Sequence, residues 1–137
     1  MGTLERLQKS IAEYLRSLSD LRFADVYAQL LDFEEAGKAE GMKIRVLLPM
    51  PLKASKYAIG PTFSDVEITI EITRDTYIAM NQPSILTASE IVSRALHRWS
   101  PPIESGFSTL VLAENKPWQK IDSNNIHITF KTQSVLQ

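Results

Sequence analysis

The chain has no cysteine, two histidines and five glycines among its 137 residues. Without cysteine there is no disulfide framework, zinc knuckle, thiolate nucleophile or iron–sulfur site, and nothing argues for an oxidising compartment. None of the glycines is grouped as Gly-x-Gly-x-x-Gly or followed by Lys-Ser/Thr, so no phosphate-cradling loop and no nucleotide cofactor is expected. General bases are scarce, and no Gly-x-Ser-x-Gly elbow offers a nucleophile. A charge excess is missing too. Fifteen basic residues against sixteen acidic ones leave −1, which lacks the electrostatic signature of a chain whose main task is holding nucleic acid. Long apolar runs are also absent. The opening Met-Gly-Thr-Leu-Glu-Arg mixes charge into its apolar positions, unlike a signal-peptide core or a membrane span, and Arg6 stands where a myristoylation motif requires Ser or Thr. The chain reads as cytoplasmic, with no membrane partner.

What is present is an average globular composition, 44% hydrophobic and 23% charged. The length suits a single domain over 1–137 that hides about two-thirds of the surface of its unfolded form. Leu4, Leu7, Ile11, Tyr14, Leu15 and Leu18 recur three or four positions apart, the stripe of an amphipathic helix of about four turns with Thr3 as its cap. Arg22–Leu31 fits a strand and a second helical piece in part, with Arg22–Tyr27 read as a short strand, and the acidic stretch Asp32–Gly41 reads as an exposed loop. Lys43–Leu48 is a strand ended by Pro49. The clearest strand is Asp65–Thr73, with Val66, Ile68, Ile70 and Ile72 on one face and Asp65, Glu67, Thr69, Glu71 and Thr73 on the other. Thr87-Ala88-Ser89-Glu90 fits a capping box opening a second helix, with Ala88, Ile91, Val92, Ala95, Leu96 and Trp99 as its stripe and an end near Ser100 before two prolines. Ser108–Ala113 and Ile126–Thr132 supply further strands, Pro117-Trp118 reads as a loop or a short strand, and Asp122–Asn125 supplies a turn. The order predicts an α+β two-layer sandwich: a mainly antiparallel sheet of about five strands with both helices on one face.

Candidate chemistry is thin. His97 falls on the polar side of the second helix and His127 on the polar side of the last strand, the places of solvated histidines. Asp65, Glu67 and Glu71 project from the same side of one strand and could hold a divalent cation for a metal-dependent nuclease. Such strands want a lysine two residues after the glutamate, and Thr69 stands there. The plainer reading is a solvated face that discourages edge aggregation. Trp118, between Lys116 and Lys120, could stack on a ligand or anchor a loop. No catalytic residue, metal or cofactor is expected.

One segment departs from the average. Met42–Thr62 carries Lys43, Arg45, Lys53 and Lys56 and no acid. Its second half reads as an arm at about 49–62, a connection long enough to be functional. Leu52, Lys53, Lys56, Tyr57 and Ile59 would meet a neighbouring subunit, or these side chains fold back on their own sheet. A basic arm and an acidic strand face on one chain would suit a head-to-tail contact that closes into a ring.

An opening amphipathic helix, a Pro-bounded strand and arm, the alternating Asp65-Val-Glu-Ile-Thr-Ile-Glu-Ile-Thr73 and the capped helix Ser84-Ile-Leu-Thr-Ala-Ser-Glu-Ile-Val-Ser-Arg-Ala-Leu-His97 together resemble the tail-completion or tail-terminator (minor tail) proteins of long-tailed bacteriophages and their prophage relatives. The resemblance implies a non-enzymatic structural subunit that forms a hexameric ring, caps the tail tube and joins it to head-completion proteins. It would sit in the host cytoplasm during assembly and then in the virion tail. DNA would meet it only in passage through a lumen, with Asp65, Glu67 and Glu71, or equally the acidic Asp32–Glu40, as possible lumen-facing residues. The alternatives are a monomeric protein- or ligand-binding module and the nuclease.

Overall fold

The computed structural model describes residues 3–28, 41–54, 63–74, 83–102 and 106–133. Helix α1 is Thr3–Ser17 and a short 3-10 turn follows at Ser19–Leu21. Strands β1 (Ala24–Ala28), β2 (Met42–Val46), β3 (Met50–Ala54) and β4 (Phe63–Arg74) come next. Helix α2 is Ile85–Leu96, and β5 (Val111–Leu112), β6 (Trp118–Asp122) and β7 (Asn125–Gln133) complete the described chain. The fold is α+β with an open, mostly antiparallel sheet.

The strands among the described residues number seven, yet the sheet is five lanes wide. β4 pairs with β7 from Asp65↔Gln133 to Thr73↔Asn125. On its other side β4 takes first β2, opposite 70–74, and then β3, opposite 63–67. β7 likewise takes β6 opposite 125–128 and β5 opposite 130–131. The two lanes that flank the β4–β7 pair both break at one row. Leu47 N–H donates to the Thr69 carbonyl at 3.0 Å, Ala113 N–H to the Thr129 carbonyl at 3.0 Å, and Thr129 N–H to the Pro117 carbonyl at 2.8 Å. Thr69 and Thr129 are themselves partners, so the two interruptions face each other across the sheet. Extra residues on one side of a ladder interrupt its pairing, and this row is where both interruptions fall.

Pro49 therefore interrupts a strand and does not end it. The chain resumes at Met50 and pairs to Ala54, so the first residues of the expected arm are sheet. Proline is tolerated there because β3 pairs only with β4 among the described residues, which leaves one side of its backbone without a ladder to feed. The first lane is also unlike the rest: β1 runs parallel to β2, Ala24↔Met42 through Ala28↔Val46. A parallel pair needs a connection of about a dozen residues or more, which the length between Ala28 and Met42 provides.

One face of the sheet is dry. Val66, Ile68, Ile70 and Ile72 of β4 join Met42, Ile44 and Val46 of β2 and Ile126, Ile128 and Phe130 of β7 in one cluster. The same cluster contains Leu7, Ile11 and Leu15 of α1 and Ala88, Val92 and Leu96 of α2, so both helices lie on that face. Tyr14 of α1 and Trp99 after α2 stack with ring centroids 4.6 Å apart, which ties the helices together. Gln8 is buried in the α1 stripe because its Nε2 donates to the Val46 carbonyl at 2.9 Å, at the point where β2 gives way to the break.

Helix α2 starts and stops earlier than its sequence predicts. Ser84 is the cap, accepting from the Thr87 backbone N–H at 3.1 Å, and Thr87 lies inside the first turn. The end comes at Leu96, because Arg98 adopts a positive φ of 69° and its N–H donates to the Leu110 carbonyl at 2.7 Å. The chain leaves the helix to pair with the segment before β5, well before the prolines could stop it.

Candidate functional site

The face of the sheet opposite the helices carries the charged residues, and register arranges them in rows. Tyr27, Arg45, Glu71, His127 and Gln119 are successive cross-strand partners from β1 to β6. At the centre of that row Arg45 Nε donates to Glu71 Oε1 at 2.6 Å and a second guanidinium N–H reaches the same oxygen. His127 Nε2 lies 2.9 Å from Glu71 Oε2 and must donate, since an ionised carboxylate only accepts. Glu71 is only 7% exposed although it stands on the face without helices.

Burial, the strongest influence, pushes the Glu71 carboxyl up, but the hydrogen bonds and charges of Arg45 and His127 together outweigh it. The group is held below its ordinary value and is ionised at neutral pH. Both of its oxygens are engaged, Oε1 by Arg45 and Oε2 by His127, so the trio is a cross-sheet clamp that ties β2, β4 and β7 together. Among the described residues no hydroxyl is hydrogen-bonded to His127, and no group of three His, Asp or Glu converges to hold a metal ion. A nuclease would need Asp65, Glu67 and Glu71 free together; Glu71 is committed elsewhere.

The other acids of β4 are also opposite partners. Glu67 faces Lys131 on one side and Met50 on the other, and Asp65 faces Gln133 and Lys53. Asp25 of β1 faces Lys43 of β2. Of the residues expected at a subunit interface, Leu52 and Lys53 lie in β3, whereas Lys56, Tyr57 and Ile59 lie outside the described residues. The acidic stretch 32–40 lies outside them as well.

The two histidines are more engaged than their polar positions suggested. His97 is exposed, yet its Nδ1 accepts from the Leu112 backbone N–H at 3.1 Å and fastens the end of α2 to β5. Trp118 is half-buried, and its indole N–H donates to Ser93 Oγ at 2.9 Å, so it anchors β6 to α2. Arg45 and His127 were not recognised from sequence as partners of Glu71. Their place on the outward parity of their strands was readable, but the register that lines them up was not.

A shallow cleft of about 470 Å³ opens where β5 meets the end of β7, lined by Asp65, Ser108, Thr109, Val111, Lys131, Thr132 and Gln133. Ser108 and Thr132 spend their polar groups on each other and on the backbone: Thr132 Oγ1 donates to the Ser108 carbonyl at 2.7 Å, and Gln133 N–H donates to Ser108 Oγ at 3.2 Å. Comparison with protein-family models and with curated proteins gives no match for this chain.

Proposed function

We propose that the chain is a structural subunit of a phage or prophage tail, of the tail-terminator kind, acting without catalysis or cofactor. Copies of it form a ring, a hexamer by resemblance, that caps the tail tube and joins it to the head-completion proteins. The observation that carries this reading is the second face of the sheet. That face has acid and base set opposite one another in three of its rows, Asp25 with Lys43, Glu71 with Arg45 and His127, Glu67 with Lys131. Each phosphate contact with an unpaired cation would hold DNA back, and a face whose cations are matched by carboxylates lets it pass. Asp65, Glu67 and Glu71 belong to this face and are its lumen-facing residues. The neighbouring subunit is met by Leu52 and Lys53 of β3 and by Lys56, Tyr57 and Ile59 beyond it.

The test is assembly of a Lys53→Glu, Lys56→Glu variant followed by sedimentation at low and high salt. Loss of the assembled species, and weakening of the unaltered protein's assembly by salt, are expected. Salt-insensitive assembly together with an unchanged variant would contradict the interface. The runner-up, a monomeric binding module, is favoured by the cleft between β5 and β7. Its expected signature is a single subunit whose melting temperature rises with a small polar ligand.

A further inference from the structure

An open sheet has two edges, and a free edge is a template for an added strand. Three of the four outer strands carry a familiar obstacle. β3 contains Pro51 and its pairing with β4 is irregular at two places. β5 is two residues long. β6 has a bulge between Lys120 and Asp122, and it sets the exposed Lys120 opposite the buried Ile126, a charge on the dry side of an edge. β1 has none of these. It is the five-residue strand Ala-Asp-Val-Tyr-Ala with unbroken register, and among the described residues it pairs only with β2.

What β1 has instead is Arg16. This residue lies in the last turn of α1, the helix that packs over β1, and its Nε donates to the Val26 carbonyl at 2.7 Å. Val26 is the central residue of the strand. A ladder carbonyl takes its hydrogen bond from the next strand; this one takes it from a helix side chain.

We propose that Arg16 guards the β1 edge, occupying with its side-chain N–H the backbone acceptor that an incoming strand of a second copy would need. The Val26 carbonyl looks away from β2, and because N–H and C=O of one residue share a side, the groups of Ala24 and Ala28 look the same way. With its middle acceptor taken, the edge offers a newcomer only separated bonds, and the long guanidinium side chain lies across the approach. The consequence for any assembly is that copies join through side-chain surfaces and do not extend one another's sheets through β1.

Two substitutions of nearly equal length separate the donor from the bulk and charge. Arg16→Gln places an amide N–H at the position of the arginine Nε, whereas Arg16→Met fills the same space with no donor. Light scattering and hydrogen exchange would be read on both, against the unaltered protein and whatever its own mass proves to be. Arg16→Met is expected to form larger, concentration-dependent species with new amide protection confined to 24–28, while Arg16→Gln keeps the unaltered mass. Both variants retaining the unaltered mass would overturn the proposal, and so would both growing alike, or growth with protection elsewhere. Since both replacements are good helix formers at an exposed site, folding is expected in each and is checked by circular dichroism.

Discussion

Glu71 is the residue on which the polar side of this sheet turns. Replacing it by Gln keeps a hydrogen-bonding group but removes the negative charge that Arg45 and His127 share on a partly dry surface. Chemical denaturation at pH 7 should show a loss of about 1–3 kcal/mol. Acid adds a sharper check. The carboxyl titrates below its ordinary value of 4.5 in the folded protein, so the unfolded chain takes up the proton first as pH falls. The stabilisation from Glu71 is therefore complete above about 4.5 and is lost as pH drops through the lower folded value. The stability gap between the unaltered protein and Glu71→Gln should narrow over that window, measured by denaturant titration at successive pH values. A gap that stays constant into strong acid would mean that the trio contributes no charge-dependent stability. In the core, Phe130→Ala removes one of the largest fully buried side chains and should cost about 3–5 kcal/mol by the same measurement.

Among the elements, α2 gives a direct comparison of two caps. Ser84→Ala should lower stability by about 1 kcal/mol, and Thr87→Ala by clearly less, because Ser84 is the residue that accepts the Thr87 amide. Equal losses would return the cap to Thr87. Both residues satisfy the local pattern of a cap, which is why the sequence alone placed the start of the helix three residues late. The alternating strand around Asp65–Thr73 and the inward Ile126, Ile128 and Phe130 were legible because a period of two needs no knowledge of the rest of the molecule. β3 was hidden by Pro49 and Pro51: proline's veto applies to a ladder on both sides, and among the described residues this strand has one. The Arg45–Glu71–His127 clamp was hidden for a different reason. Residues 26 and 56 positions apart meet only through the register of β2, β4 and β7, and register is settled by the whole core.

For the whole molecule, the two faces of one sheet divide the work. The dry face is closed by both helices and holds the core, while the other face carries the paired charges and, on the proposed reading, meets the partners. Matched rows of acid and base on that face, an edge guarded by Arg16 and the β3 lane leading towards Lys56 and Tyr57 together describe a subunit suited to a closed assembly. The central claim is that copies of this chain form a ring. It is tested most directly by absolute mass in solution, measured by light scattering at several protein concentrations and at low and high salt. The account predicts a species of about six times 15.5 kDa that grows in with concentration and weakens as salt rises. A strict monomer at every concentration and salt would contradict it.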